Sequence, residues 1–284
     1  MKLVTFQHLG HTHAGIVDGD SIISLKSSGF PTILSYLEAG PEAAKRTEAL
    51  LAKPPEDTVF AAASVKLIAP IPKPSKIICI GLNYRDHAIE TNNPIPTTPT
   101  VFTKFATAVI GPQEPIVLPK NSEKPDYEAE LAVVIGKGGR HIKAIDWGAH
   151  VFGYMNANDV SARDYQLATS QWTIGKTFDT FAPMGPWLTS ADEIPDPHRL
   201  NVKLTVNGET LQNSNTRELI FGIPDLVEYL SSVFTLEAGD IILTGTPPGV
   251  GMARKPPRWL LPGDEVTVEI EGLGQLHNSC VAEQ

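Results

Sequence analysis

The sequence predicts a β-rich α+β protein, with a small N-terminal α+β module over residues 1–70 and a larger domain over residues 71–284. Three observations carry this prediction. Proline and glycine are abundant, 24 and 23 residues, and both punctuate short strands and loops rather than long helices. The dipeptides Asp18-Gly19 and Asn207-Gly208 lie between strand-like runs, as hairpin turns do. A stiff link, Ala69-Pro70-Ile71-Pro72-Lys73-Pro74, separates the two parts.

Residues 2–7 read as a strand, and Ala14–Val17 with Ser21–Leu25 flank the first hairpin signal. Ile33, Leu34 and Leu37, then Ala44, Leu50 and Leu51, have the spacing of two short helices, the second stopped by Pro54-Pro55. In the larger part, Lys76-Ile77-Ile78-Cys79-Ile80-Gly81 is a buried strand, and Asn83–Glu90 is a short polar helix followed by a proline-laced loop, 93–99. Strands are expected at Thr100–Phe105, Ile116–Leu118, 128–135 and Val151–Asn156, and a helix over Val160–Thr169 capped by Asp159 or Ser161. Leu200–Val206 and Glu209–Gln212 form the second hairpin. Ile223–Phe234 is an amphipathic helix with Pro224 in its first turn, and strands at Asp240–Thr244, Glu265–Ile270 and Gly274–His277 close the chain.

Composition removes several classes of function. A net charge of −9 argues against nucleic acid, which needs a basic face. It leaves room for a small anionic substrate, because a bound cation reverses the local field. Cys79 and Cys280 are far apart and in no CxxC spacing, so neither a disulfide framework nor a zinc ribbon is expected. No apolar run approaches the ~18 residues of a membrane helix. The N-terminus lacks a signal-peptide apolar region, and the expectation is a cytoplasmic protein. GxSxG, Walker A and GxGxxG are all missing, which argues against elbow-type hydrolases, P-loop enzymes and Rossmann dehydrogenases.

The chemistry concentrates on Asp126-Tyr127-Glu128-Ala129-Glu130-Leu131, the polar start of a strand. Side chains two apart on a strand share a face, so Glu128 and Glu130 stand side by side. Two adjacent carboxylates repel, and they are either solvated or bridged by a cation of the hard, oxygen-preferring kind: Mg²⁺, Mn²⁺ or Ca²⁺. Asp159, at a strand end some thirty residues on, either caps a helix or is the third carboxylate of an octahedral site with open positions. His87 and Glu90, three apart on a helix, are either a surface pair or an imidazole whose tautomer a carboxylate fixes for general-base work. Arg163, Gln166 and Lys176 follow Asp159 and are either surface groups or an anion clamp. The loop Gly245-Thr246-Pro247-Pro248-Gly249-Val250-Gly251 is either a plain turn or a donor of backbone N–H groups and the Thr246 hydroxyl to a carboxylate. His11-Thr12-His13 is read as a solvated pair in a hairpin loop rather than a metal site.

These stretches together resemble the fumarylacetoacetate hydrolase family. The matching pieces run in family order: Gly81–His87 with Glu90, Tyr127–Leu131, Asn158–Gln166, Gly175–Asp179, Val206–Glu209 and Leu243–Gly251. The resemblance implies a mixed β-roll catalytic domain, usually homodimeric, with a metal in its mouth. It implies that Glu128, Glu130 and Asp159 bind Mg²⁺ or Mn²⁺, and that Lys176 neighbours the metal and the enolate-forming part of the substrate. Arg163, Gln166 and Thr246 map to substrate-orienting positions, Lys104 to a basic residue near the substrate, and His87 with Glu90 to a dyad that some members carry on a lid helix. The continuation Gly251–Pro257 looks more like the diene-dioate isomerase and diketo-acid hydrolase branches than fumarylacetoacetate hydrolase itself.

The expected reaction is hydrolysis of a 2,4-diketo acid (an acylpyruvate) to pyruvate and a carboxylic acid, with water activated by His87 and the enolate met by the metal and Lys176. Decarboxylation or tautomerisation of oxaloacetate, or isomerisation of a 2-hydroxy-diene-dioate, would use the same metal and Lys176 without an attacking water. A catalytically silent ligand-binding protein on the same fold is the remaining alternative.

Overall fold

The computed structural model describes residues 1–284. Strands β1 (Lys2–His8), β2 (His11–Asp18) and β3 (Ser21–Ser24) form consecutive hairpins; helices α1 (Ile33–Glu38) and α2 (Pro41–Ala52) precede β4 (Val59–Ala61) and β5 (Lys66–Ile68). After the proline link come β6 (Ile77–Gly81), α3 (Arg85–Glu90), β7 (Thr100–Lys104), β8 (Val109–Ile110), β9 (Ile116–Leu118), β10 (Pro125–Asp126), β11 (Ala129–Ile135) and β12 (Val151–Asn158). The chain continues through β13 (Ser161–Ala162), α4 (Arg163–Gln166), α5 (Thr173–Lys176), β14 (Ala182–Ser190), β15 (Asn201–Val206) and β16 (Glu209–Asn215). It ends with α6 (Ile223–Val233), β17 (Ile241–Leu243), β18 (Glu265–Ile270) and β19 (Gln275–Ala282).

A 12-stranded sheet is the spine, in the order β4-β3-β2-β1-β14-β12-β11-β17-β6-β7, with β5 beside β1 and β8 beside β14. A five-stranded sheet, β16-β15-β18-β19-β9, packs on one of its faces. Alternation along β11 explains the layering. Leu131, Val133 and Ile135 enter the core shared with the five-stranded sheet and α6, while Ala132 and Val134 enter the opposite core, where Ile33, Leu37 and Leu50 of α1 and α2 pack. β1 pairs antiparallel with β14, so the N-terminal strands continue the same sheet that carries the acidic residues.

Local departures from the sequence expectations have physical causes. Asp18 pairs with Ser21, so the first turn is Gly19-Asp20, with Gly19 at φ +56°. In the second hairpin Asn207 and Gly208 both have positive φ, as a type I′ turn requires. His11 and His13 lie within β2 rather than in a loop. The helix expected over Val160–Thr169 shrinks to Arg163–Gln166, because Ser161 and Ala162 pair antiparallel with Pro125 and Asp126. Asp159 therefore caps no helix; its backbone N–H donates to the Glu128 carbonyl at 2.9 Å.

Candidate metal centre

The register between β11 and β12 assembles the acidic cluster. Glu130 lies opposite Ala157 and Ala129 opposite Asn158, which brings Asp159 beside Glu128. Glu128, Glu130 and Asp159 share the face that Ala132, Val134, Met155 and Ala157 use further along the two strands. Their carboxylate oxygens lie within 4.8 Å of one another, and all three residues are buried.

Burial of this much charge demands partners. Lys176 Nζ donates to Glu128 at 2.7 Å and to Asp159 at 2.9 Å. Lys104, on β7, reaches the other Asp159 oxygen at 2.5 Å and the Val160 carbonyl at 3.0 Å. Arg163 Nη2 lies 2.7 Å from Glu128 Oε1, outside good hydrogen-bonding geometry, and is an otherwise unpartnered buried donor. Glu130 has no cation of its own. It accepts only the backbone N–H of Gly245 at 2.7 Å, which Gly245 offers at φ +101°. A β-carbon on Gly245 would lie 2.8 Å from that of Asn83, so both the conformation and the close approach need glycine.

The resulting electrostatics are uneven. Burial alone would raise the Glu128 carboxyl, but Lys176 and Arg163 hold it down at about 2. Glu130 goes the other way: burial, then Asp159 and Glu128, push it well above the usual carboxylate range. Burial pulls on the Lys176 ammonium, but Asp159 and Glu128 outweigh it and raise its pKa. With Asp126 included, four buried carboxylates face three buried cations, Lys104, Lys176 and Arg163, a deficit of one positive charge that falls on Glu130. An all-oxygen donor set short of positive charge fits a hard divalent cation.

A cavity of about 210 Å³ opens above the triad, lined by Glu128, Glu130, Arg163, Gln166, Lys176 and Thr246 among others. His87 of α3 lines it, with Glu90 at its back. His87 Nδ1 is 2.9 Å from Glu90 Oε2, and Glu90 Oε1 accepts the Gly249 N–H at 2.8 Å. Asp86 anchors the same helix to Ser214 at 2.6 Å. Of the sequence-selected residues, His87, Glu128, Glu130, Arg163, Gln166, Lys176 and Thr246 line this cavity, while Glu90 stands behind His87, and Asp159 lies between Lys176 and Lys104. Their partners differ from expectation at two points. The Thr246 hydroxyl donates to the Ala129 carbonyl and accepts from Gln212 rather than meeting a carboxylate. Arg163 is committed inside the protein, to Asp126 at 2.9 Å and to the Gln166 oxygen at 2.8 Å, besides Glu128.

Sequence reasoning missed the supports. Asp126 is fully buried and accepts from Tyr127, Gly251 and Met252 backbone N–H groups as well as Arg163. Gln212 ties the Ala129 N–H to Thr246 and Pro247, and Asn158 accepts the Glu128 N–H at 2.9 Å. Asp126 opens the stretch that drew attention, but Arg163 lies 37 residues away and Gly251 and Met252 about 125, and no local spacing reveals them.

Residues 76–281 match the fumarylacetoacetate (FAA) hydrolase C-terminal family. The chain is 46% identical over 290 residues to the mitochondrial oxaloacetate tautomerase FAHD2A of Bos taurus, covering 99% of this chain and 92% of the relative. Its human counterpart is 45% identical with the same coverage. Among solved structures, maleylpyruvate hydrolase from Sphingobium sp. SYK-6, in complex with manganese(II) and pyruvate, aligns over 100% of both chains with a TM-score of 0.84 and 33% identity. The 5-carboxymethyl-2-hydroxymuconate delta-isomerase of Mycobacterium smegmatis aligns equally fully, with a TM-score of 0.81 and 34% identity. The relatives' mitochondrial names overturn the expectation of a cytoplasmic protein; a missing secretory signal bears on export and does not separate cytoplasm from organelle. By its matched region, its fold and its full-length relatives, the chain belongs to the fumarylacetoacetate hydrolase family.

Proposed function

We propose that this chain is a divalent-metal-dependent tautomerase acting on oxaloacetate or a closely similar 2-oxo dicarboxylate. The observation that carries the reading is the His87–Glu90 dyad set over an acidic triad, in a chain whose oxaloacetate tautomerase relatives extend over 99% of its length. Glu128, Glu130 and Asp159 would hold the ion, Mg²⁺ or Mn²⁺. Bound there, it would supply Lewis-acid polarisation of the 2-oxo group.

The protein's own groups move the proton. Glu90 accepts from His87 Nδ1–H, which leaves Nε2 as the basic nitrogen on the cavity side. His87 Nε2 takes a proton from C3 of the keto acid and delivers it to the C2 oxygen, giving the enol; the reverse sequence gives the keto form. Charge on the C2 oxygen during transfer is met by the Lys176 ammonium, which spends two of its three N–H bonds on Glu128 and Asp159. Gln166, its oxygen held by Arg163, turns its NH₂ toward the cavity as a donor for the substrate carboxylate. Lys104 holds Asp159 in place, and Thr246 braces the loop that carries Gly245.

The experiment is ketonisation of enol-oxaloacetate with Mg²⁺, followed by loss of enol absorbance while pyruvate and CO₂ are assayed in parallel. His87→Ala should lower the rate by ~10²–10⁴ with Mg²⁺ binding retained. No acceleration by the wild-type protein would end the tautomerase assignment. Acylpyruvate hydrolysis is the second reading, supported by the structural likeness to maleylpyruvate hydrolase with its manganese and pyruvate. In that case His87 would deprotonate a water instead of C3, and pyruvate release from acylpyruvates would exceed enol–keto exchange.

A further inference from the structure

The cavity over the triad is small. Its 210 Å³ is below the ~300–1,000 Å³ of drug-sized ligand pockets. Beside its charged residues the lining is apolar: Ile80, Leu82, Phe102, Leu167, Trp172 and Met252. Trp172 stands out because the backbone is cut away beneath it. It lies on the connection between α4 and α5, and its indole rests on Gly81 at the end of β6. A β-carbon at position 81 would sit 2.2 Å from Cζ3 of the indole and 3.0 Å from Cη2, so any side chain there would displace the ring. Phe102 packs edge-on against Trp172 with centroids 5.6 Å apart, and Lys176 Nζ lies 5.1 Å from the Phe102 ring centre. One aromatic ring thus separates the indole from the ammonium beside the acidic triad. The half-buried indole thus sits between Gly81 and Phe102 on the wall of the cavity.

We propose that Trp172, seated on Gly81, sets the length of acid this cavity accepts, admitting short 2-oxo acids and excluding those with longer tails. The inference rests on the reading above, in that the ligand is taken to be a 2-oxo acid whose head meets the triad. It assigns Trp172 as a specificity residue and Gly81 as the residue that makes room for it. The two substitutions should act in opposite directions. Trp172→Ala removes the nine indole ring atoms and opens space beyond Phe102, away from the head group. Gly81→Ala unseats the indole and, on this inference, crowds the cavity.

The test is calorimetric binding of unreactive 2-oxo monocarboxylates (pyruvate, 2-oxobutyrate, 2-oxohexanoate and 2-oxooctanoate) to the Mg²⁺-loaded full chain. Retained Mg²⁺ binding reports that each variant is folded, and Trp172→Leu provides an intermediate wall should the alanine variant fail to fold. Wild-type affinity should fall by at least about tenfold from pyruvate to 2-oxooctanoate. That fall should vanish or reverse in Trp172→Ala, shrink in Trp172→Leu and steepen in Gly81→Ala. Discrimination by chain length that persists unchanged in the folded tryptophan variants, or equal affinity across the series in wild type, overturns the role of Trp172 and leaves the 2-oxo-acid reading standing. Failure of Mg²⁺-loaded wild type to bind pyruvate at all removes the 2-oxo-acid reading, and this inference with it.

Discussion

Asp126→Asn is the sharpest perturbation the structure offers away from the triad. Asp126 Oδ1 accepts the N–H groups of Tyr127 at 2.8 Å and Gly251 at 2.7 Å, and Oδ2 accepts Met252 N–H at 3.0 Å and Arg163 Nε at 2.9 Å. Whichever oxygen becomes NH₂ then faces two donors with a donor. Leaving buried groups unsatisfied costs about 1–3 kcal/mol, and removing one partner of a buried ion pair about 3–5 kcal/mol. Arg163 keeps Glu128 as a counter-ion at 2.7 Å, so the lower end applies, about 3 kcal/mol in total. At ~2–4 °C per kcal/mol for a chain of this size, Tm should drop by about 6–12 °C. Activity should fall too, because Arg163 and Met252 both line the cavity and both lose their anchor. Circular-dichroism melts of Asp126→Asn, Arg163→Met and the double variant read this directly. The double variant should be less destabilised than the sum of the singles. A drop in Tm below about 2 °C, or strict additivity, would mean that Asp126 does not organise Arg163 and the 249–252 loop.

Two further outcomes follow from the same geometry. Glu130→Gln should abolish calorimetric binding of Mg²⁺ and Mn²⁺ and remove the stabilisation that saturating metal produces, about 2.7 kcal/mol at a hundredfold excess over Kd and read as a rise in Tm; a variant that binds metal like wild type would take Glu130 out of the ligand set. His198 should make stability acid-sensitive. Its Nε2 accepts the Ile223 N–H at the start of α6 at 3.1 Å, and burial, opposed by Asp196, lowers its pKa from 6.5. A lowered folded-state value means that the unfolded chain takes up the proton first, so this contribution is complete above about pH 6.5 and is lost as pH falls through the folded-state value. Melts of wild type and His198→Gln between about pH 5 and 8 should show the variant with the shallower acid slope, and superimposable slopes would exclude His198.

How much of the site was legible depends on the range of the interaction that builds it. Glu128 and Glu130 were readable because a strand repeats every two residues, and Gly245-Thr246 because a Gly/Pro loop after a buried strand brings backbone near a carboxylate. Asp159 was readable only as one of two options. The choice between helix cap and ligand was made by the β11–β12 register and by the pairing of Ser161 and Ala162 with Pro125 and Asp126. Lys104 was reached through family resemblance alone, since nothing in Phe102-Thr103-Lys104 announces that it will meet Asp159 across 55 residues. Asp126 and Gln212 escaped altogether. Each works by accepting or donating to backbone of distant segments, and backbone carries no sequence signature.

Proteins named tautomerase, hydrolase and isomerase align with this chain over nearly its whole length, so the fold cannot select the reaction. The electrostatic half of the site suits all three, because each chemistry raises negative charge on an oxygen next to a carboxylate and each benefits from Lys176 held charged between Glu128 and Asp159. The choice must lie in what reaches the carbon chain. On the proposed reading that means His87, which lines the cavity with its Nδ1 paired to Glu90, and Glu90 is itself fixed by the Gly249 N–H. It also means the space left between that base and the apolar wall. A base over a cavity of about 210 Å³ suits moving a proton between C3 and the C2 oxygen, whereas hydrolysis needs room for a water and an acyl group as well. Widening the cavity at Trp172 should therefore change more than the length of acid bound: if hydrolysis is limited by space alone, Trp172→Ala should release pyruvate from acylpyruvates that wild type leaves intact. A variant that binds the longer acids and still fails to cleave them would place the limit on the nucleophile instead, at His87.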